Sequence, residues 1–233
     1  MRNVGYNEAL KLDSENPGIY AQLGNAYSKQ GNFPQAISHY KKAIELNPKQ
    51  IFTYISWGSI LKQQGNIEEA VALYQQAIDL DPNRPVGYNH LANIQRQQKD
   101  FEAAISSYRR SLKLNPQQFH IYTAIGKTFF QISKPEEAIT AYTQAIKLDA
   151  NRPGVYAALG NAYLKCNQVE GAITSYQKAI ELNPKQPFGV YKNLGDALSK
   201  QGEIEGAIAA YTGALKLQPN NKNVRQSLAK IQK

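Results

Sequence analysis

A period of 34 residues runs through the whole chain and fixes most of what it can fold into. One tyrosine series is Tyr20, Tyr54, Tyr88, Tyr122, Tyr156 and Tyr191; a second is Tyr6, Tyr40, Tyr74, Tyr108, Tyr142, Tyr176 and Tyr211. Every step is 34 except one of 35 near Gln186-Pro187. These series hold 13 of the 15 tyrosines, and the other two, Tyr27 and Tyr163, share one further place in the same repeat. A fixed period of this size marks an array of small units that bury their apolar faces against one another. With the first series set at position 4, other positions fall into line. Position 7 is large and apolar (Leu23, Trp57, Leu91, Ile125, Leu159, Leu194), and position 8 is small (Gly24, Gly58, Ala92, Gly126, Gly160, Gly195). Position 20 is always alanine and position 30 always leucine, while proline holds position 32 except at Ala150.

The unit reads as two helices. Apolar and small residues at positions 4, 7, 8 and 11, then at 17, 20, 24, 27 and 30, follow helical spacing. Between them Gly31-Asn32, Gly65-Asn66 and Gly202-Glu203 supply a left-handed turn that ends the first helix, helix A. Glu68, Glu69, Glu102, Glu136, Glu137, Glu170 and Glu205 then fall in the first turn of helix B, where the helix dipole favours anions. The proline at position 32 cannot continue helix B. Repeat four departs most, with Ser133, Pro135 and Ala150 in place of Gly, an apolar residue and Pro, and this predicts a changed turn there.

Six copies of this pattern resemble the tetratricopeptide repeat (TPR) family over nearly the whole chain. The resemblance implies an all-α fold, a right-handed α-solenoid (superhelix) of antiparallel helix pairs. Its repeats are 17–50, 51–84, 85–118, 119–152, 153–187 and 188–221. A half-repeat over 1–16 precedes them, and Val224, Leu228 and Ile231 make an apolar stripe on a capping helix at 222–233. Because Tyr6, Ala9, Leu10 and Leu12 read as a helix B without its helix A, the chain is expected to be a piece of a longer protein, with a face that a second copy can cover.

Function in this family resides on the helix A face, which lines the concave groove where extended peptides bind. The lining positions are 2, 5, 6, 9, 12 and 13. Position 9 carries Asn25, Asn93 and Asn161, whose amides either grip a peptide main chain or bond a neighbouring helix. The chain carries 27 Lys+Arg against 18 Asp+Glu, a net charge of +9. Over positions 2–14 of the A helices the only acid is Asp196, against Lys29, Lys62, Arg96, Lys127, Lys165, Lys192 and Lys200. A surface of one sign attracts ligands of the other, so an acidic peptide is the expected partner; the alternative is that these cations are solvated and suit the C-terminal ends of the A helices. Phe52, Ile55 and Phe130, with Leu164, are candidate apolar contacts in the same groove.

Two family signatures are missing. The carboxylate clamp for chaperone C-termini has no match, its first window offering Ala21, Asn25, Ser56, Val86 and His90. The position 6 asparagine ladder of the protein O-glycosyltransferases also fails (Gln22, Ser56, His90, Ala124, Ala158, Asn193). No catalytic residue, cofactor or metal site is expected: His39, His90 and His120 lack a carboxylate partner, and Cys166 has no evident base. There is no P-loop, GxGxxG or HExxH. One cysteine excludes an internal disulfide, and no apolar run approaches the roughly 18 residues of a membrane span. Cysteine scarcity and the lack of a signal-like stretch point to the cytoplasm. The leading expectation is thus a non-catalytic protein–protein interaction scaffold. The alternative is the targeting arm of a larger enzyme, such as a group transferase. Nucleic-acid binding ranks last, because every tyrosine sits at a packing position and none interleaves the bases.

Overall fold

The structure is a computed structural model that describes residues 2–232, and the regular structure among these residues is α-helical. The chain forms two compact units, Met1–Pro116 and Gln117–Lys233. The first holds α1 (Arg2–Leu12), α2 (Pro17–Lys29), α3 (Phe33–Leu46), α4 (Ile51–Gln64), α5 (Ile67–Leu80), α6 (Pro85–Gln97) and α7 (Phe101–Leu114). The second holds α8 (Phe119–Gln131), α9 (Pro135–Leu148), α10 (Pro153–Lys165), α11 (Val169–Leu182), α12 (Phe188–Gln201), α13 (Ile204–Leu217) and α14 (Lys222–Ile231). In the first unit α2 packs on α3, α4 on α5 and α6 on α7, and α1 lies against α2. In the second, α8 packs on α9, α10 on α11 and α12 on α13, with α14 against α13.

The two tyrosine series do different work, which the period alone does not reveal. Tyr40, Tyr74, Tyr108, Tyr142, Tyr176 and Tyr211, on the B helices, are all buried in the core. Their rings lie over position 8 of helix A. A Cβ built at Gly126, Gly160 or Gly195 would come within 2.6–2.7 Å of the ring of Tyr142, Tyr176 or Tyr211, closer than carbon atoms approach. Glycine there lets the two helix axes close on the ring. The A-helix tyrosines other than the buried Tyr54 are only half-buried, and three of their hydroxyls tie down the preceding turn: Tyr20 donates to Ser14 O at 3.1 Å, Tyr88 to Pro82 O at 3.3 Å and Tyr191 to Pro184 O at 2.5 Å.

The turn from helix A to helix B is the same in all six repeats. Position 15 has positive φ at Gly31 (75°), Gly65 (87°) and Gly202 (84°), but also at Lys99 (65°), Ser133 (58°) and Asn167 (56°). In each repeat the next amide bonds back to the carbonyl at position 11, as Asn66 N does to Leu61 O at 2.9 Å and Lys134 N to Phe129 O at 2.9 Å. This is the bond that closes a left-handed helix end. The changed turn expected in repeat four is therefore absent: Ser133 adopts the conformation that glycine adopts elsewhere, and Pro135 sits at the start of α9, where a missing N–H costs no hydrogen bond. Helix starts are fixed by side-chain caps at several places, for example Asn16 on Gly18 N and Ile19 N, and Asp100 on Ala103 N.

Candidate functional site

Position 9 faces the tyrosine of its own helix B. Tyr40 donates to Asn25 Oδ1 at 2.8 Å, Tyr108 to Asn93 Oδ1 at 2.6 Å and Tyr176 to Asn161 Oδ1 at 2.6 Å. Ser59 meets the Tyr74 hydroxyl at 3.2 Å, and Tyr211 donates to Asp196 Oδ1 at 2.8 Å. The asparagine carbonyls are thus engaged in bonding a neighbouring helix. What they offer outward is the amide NH2, a donor only. At Asn161 the oxygen also accepts from Asn193 Nδ2 at 3.2 Å.

The cations divide into free and engaged groups. Lys29 is exposed on α2, as are Lys127, Lys165 and Lys200 in the second unit. Lys200 nevertheless donates to Asn167 Oδ1 at 2.7 Å. Lys192 is paired with Asp196 four residues on, so the one acid of the A helices neutralises one of the seven bases. Lys62 is half-buried beside His90, whose pKa is lowered by burial and then by the Lys62 charge. His90 itself packs on Tyr74, with ring centroids 4.9 Å apart. Arg96 is half-buried near the Tyr108 hydroxyl, and its Nε is enclosed without a hydrogen-bond acceptor.

The apolar candidates separate as well. Phe52 is 61% exposed at the start of α4. Ile55, expected in the groove, is only 6% exposed and belongs to the core with Tyr54, Leu61 and Tyr74, so it is not a groove contact. Position along α4 does not separate them, because Ile51 and Thr53 on either side of Phe52 are packed; Phe52 instead lines an open cleft beside α2. Phe130 is half-buried near the end of α8.

A cleft of about 370 Å³ lies in the first unit between α2 and the start of α4. Ala21, Gln22 and Asn25 form one wall, Phe52 and Ser56 the other, and Lys49 and Arg84 bring positive charge to it. Arg84 is held twice, by Asp81 Oδ2 at 3.0 Å and over the Phe52 ring at 5.3 Å. The second unit repeats this device: Arg152 pairs with Asp149 at 2.5 Å and lies 4.4 Å from the centroid of Phe119. Sequence reasoning missed Lys49, Arg84 and Arg152 because it looked only at helix A positions, whereas these lie in the turns after position 32. The signal that finds the two arginines is the recurring Asp-x-Asn-Arg-Pro at 81–85 and 149–153.

Among the described residues no group of three or more His, Cys, Asp or Glu side chains is arranged to hold a metal ion. Cys166 is half-buried, and its thiol pKa is raised by burial and by Glu136, which is opposite to the activation a nucleophile needs. No helix among the described residues is long and apolar enough to cross a membrane. In α1, Leu12 is 91% exposed.

Family models described as tetratricopeptide repeat match residues 17–50, 85–118 and 188–221, and one described as TPR repeat matches 58–98, 126–166 and 160–202. No curated protein matches the sequence. Among solved structures, the C-terminal part of a TPR repeat-containing protein from Cytophaga hutchinsonii aligns with a TM-score of 0.80 at 19% identity, covering 97% of this chain and 96% of that one. PilF of Pseudomonas aeruginosa aligns at 0.75 and 19% identity over 97% of this chain and 99% of its own. YrrB, described as a TPR protein with an unusual peptide-binding site, aligns at 0.70 and 19% identity over 81% of this chain and 96% of its own. At these identities the likeness speaks to the fold, an all-α solenoid of antiparallel helix pairs. With the family models matching well over half of its length, the chain belongs to the tetratricopeptide repeat family.

Proposed function

We propose that this protein is a non-catalytic scaffold that binds an extended acidic peptide along its A helices, with the α2–α4 cleft as an anchoring point. The observation that carries the reading is the coincidence, in one cleft, of an exposed aromatic ring, two cations and an amide donor: Phe52, Arg84, Lys49 and Asn25. A recognition pocket combines apolar surface with a few placed polar groups. Here Phe52 receives an apolar side chain, Asn25 Nδ2 donates to a peptide carbonyl, and Lys49 and Arg84 meet a carboxylate. Asp81 already occupies Arg84 Nε and so fixes the guanidinium plane, leaving its terminal nitrogens as donors. Exposed Lys29, on α2 of the same unit, adds positive charge beyond the cleft. The YrrB likeness is consistent with peptide binding on such a scaffold, although it rests on fold alone.

The test uses a fluorescein-labelled library of acidic decapeptides read by anisotropy. A binder recovered from it should lose at least about tenfold in affinity on Phe52→Ala. It should also weaken on Lys49→Glu, and more so at low salt, where surface charge is least screened. An affinity unchanged by both substitutions, or selection of basic peptides from a matched basic library, would reject the proposal.

A further inference from the structure

Repeats one and five carry the same two tyrosines on helix A: Tyr20 and Tyr27 on α2, Tyr156 and Tyr163 on α10. What faces them from helix B differs. On α3 the imidazole of His39 stacks on Tyr27, with centroids 5.3 Å apart and planes inclined by 4°, and it also meets Tyr20 at 6.0 Å. On α11 the equivalent residue is Ser175, whose hydroxyl turns back to Gly171 O at 2.7 Å. In place of the ring there is a cleft of about 530 Å³, bounded by Tyr156, Leu159, Tyr163, Gly171 and Ser175. The rim is duplicated too. Lys42–Glu45 on α3 and Lys178–Glu181 on α11 form matching ion pairs at 2.9 and 2.6 Å.

The remaining repeats hold no such pair of tyrosines. Position 11 is Leu61, Gln95, Phe129 or Leu198, and in repeat three Gln95 accepts from Ser107 of helix B at 2.8 Å. Repeat four places Tyr122 and Phe129 at the same two positions, but there Phe129 and the facing Ala141 are both buried in the core; repeats one and five alone hold two tyrosines, and repeat one alone supplies the ring between them. In repeat five Gly171 also lets Tyr163 lie close on α11, where a Cβ would stand 3.0 Å from its ring.

We propose that the Tyr156–Tyr163 cleft is a binding site for an uncharged imidazole, the histidine side chain of a partner polypeptide, seated as His39 is seated in repeat one. Stacked and offset aromatic pairs gain beyond their area burial. Leu159 gives the cleft a buried apolar floor, and the Glu181 carboxylate at the rim can accept the ring N–H. The histidine of repeat one is the direct evidence for the ring chemistry: burial lowers its pKa, so this environment holds the neutral form. None of the cleft residues occupies a lining position of helix A, so this site and the peptide cleft of the first unit stand or fall separately.

The experiment titrates the full chain with 4-methylimidazole at about pH 8, above the ordinary imidazole pKa, and follows the tyrosine ring resonances by NMR. Saturable shifts at Tyr156 and Tyr163, with Tyr20 and Tyr27 unmoved because His39 fills their slot, are the expected result. Ser175→His, which fills the slot from within, should weaken the titration at least about tenfold. Ser175 is buried, so a second variant guards against misfolding: Thr174→Trp, at an exposed edge position, covers the mouth of the cleft. Absent or non-saturable shifts at Tyr156 and Tyr163, equal shifts at Tyr20 and Tyr27, or an unchanged titration in folded Thr174→Trp would each overturn the proposal.

Discussion

Tyr176 donates its hydroxyl to Asn161 Oδ1 at 2.6 Å, and the equivalent Tyr142 has no such partner because Lys127 stands at position 9 of its repeat. Both rings are buried to the same degree, and burial pushes both hydroxyl pKa values up to about 12. The contrast separates ring packing from hydrogen bonding within one molecule. Tyr176→Phe leaves the Asn161 carbonyl short of a donor and should cost about 1 kcal/mol. Tyr142→Phe removes a hydroxyl that bonds no position 9 side chain and should be neutral or slightly stabilising. Chemical denaturation of the two variants side by side decides it; equal losses would show that the hydrogen bond contributes nothing.

The three non-glycine residues in left-handed conformation offer a second measurement. An L-residue with a Cβ pays roughly 1–2 kcal/mol there, partly offset in a glycine variant by the greater freedom of the unfolded chain. Lys99→Gly and Ser133→Gly should each stabilise by about 1 kcal/mol and raise the melting temperature. Asn167→Gly should gain less, because asparagine tolerates this region. A drop in melting temperature for the first two would mean that their side chains hold the turn in some other way.

Stability should fall at both ends of the pH range. The Tyr142 and Tyr176 hydroxyls have folded pKa values of about 12, above the unfolded value near 10. Their contribution is full below about pH 10 and is lost as pH rises from there through about 12. His39 and His90 are lowered, chiefly by burial, so their contribution is present above the unfolded value near 6.5 and is lost as pH falls through their folded values. Melting curves from acid to strongly alkaline pH should show both losses. His90→Asn should blunt the acid loss and leave the alkaline one intact.

How much of this was legible beforehand depends on the kind of contact. Helix boundaries and the core were, because Tyr40, Ala43 and Leu23 recur at fixed places and helical geometry puts them on one side. The left-handed turn at Lys99 and Ser133 was not, because residue preference there is overridden by the helices on either side, which fix the chain's exit and entry. Ile55 and Phe52 show the same limit at the site: three residues apart, both apolar, one in the core and one lining an open cleft whose walls come from other helices. The Arg84–Phe52 and Arg152–Phe119 contacts depend on turn geometry that no helical period encodes.

The turns also bear on how firmness is distributed along the molecule. A helix pair opens locally more readily when the joint that closes it holds backbone strain. Glycine occupies the left-handed position in repeats one, two and six, and residues with a side chain occupy it in repeats three, four and five. The outer repeats thus carry the relaxed joints and the middle repeats the strained ones. Amide exchange should then be faster at the turns of repeats three, four and five than at those of one, two and six, so that the joints without a side chain are the firmer ones.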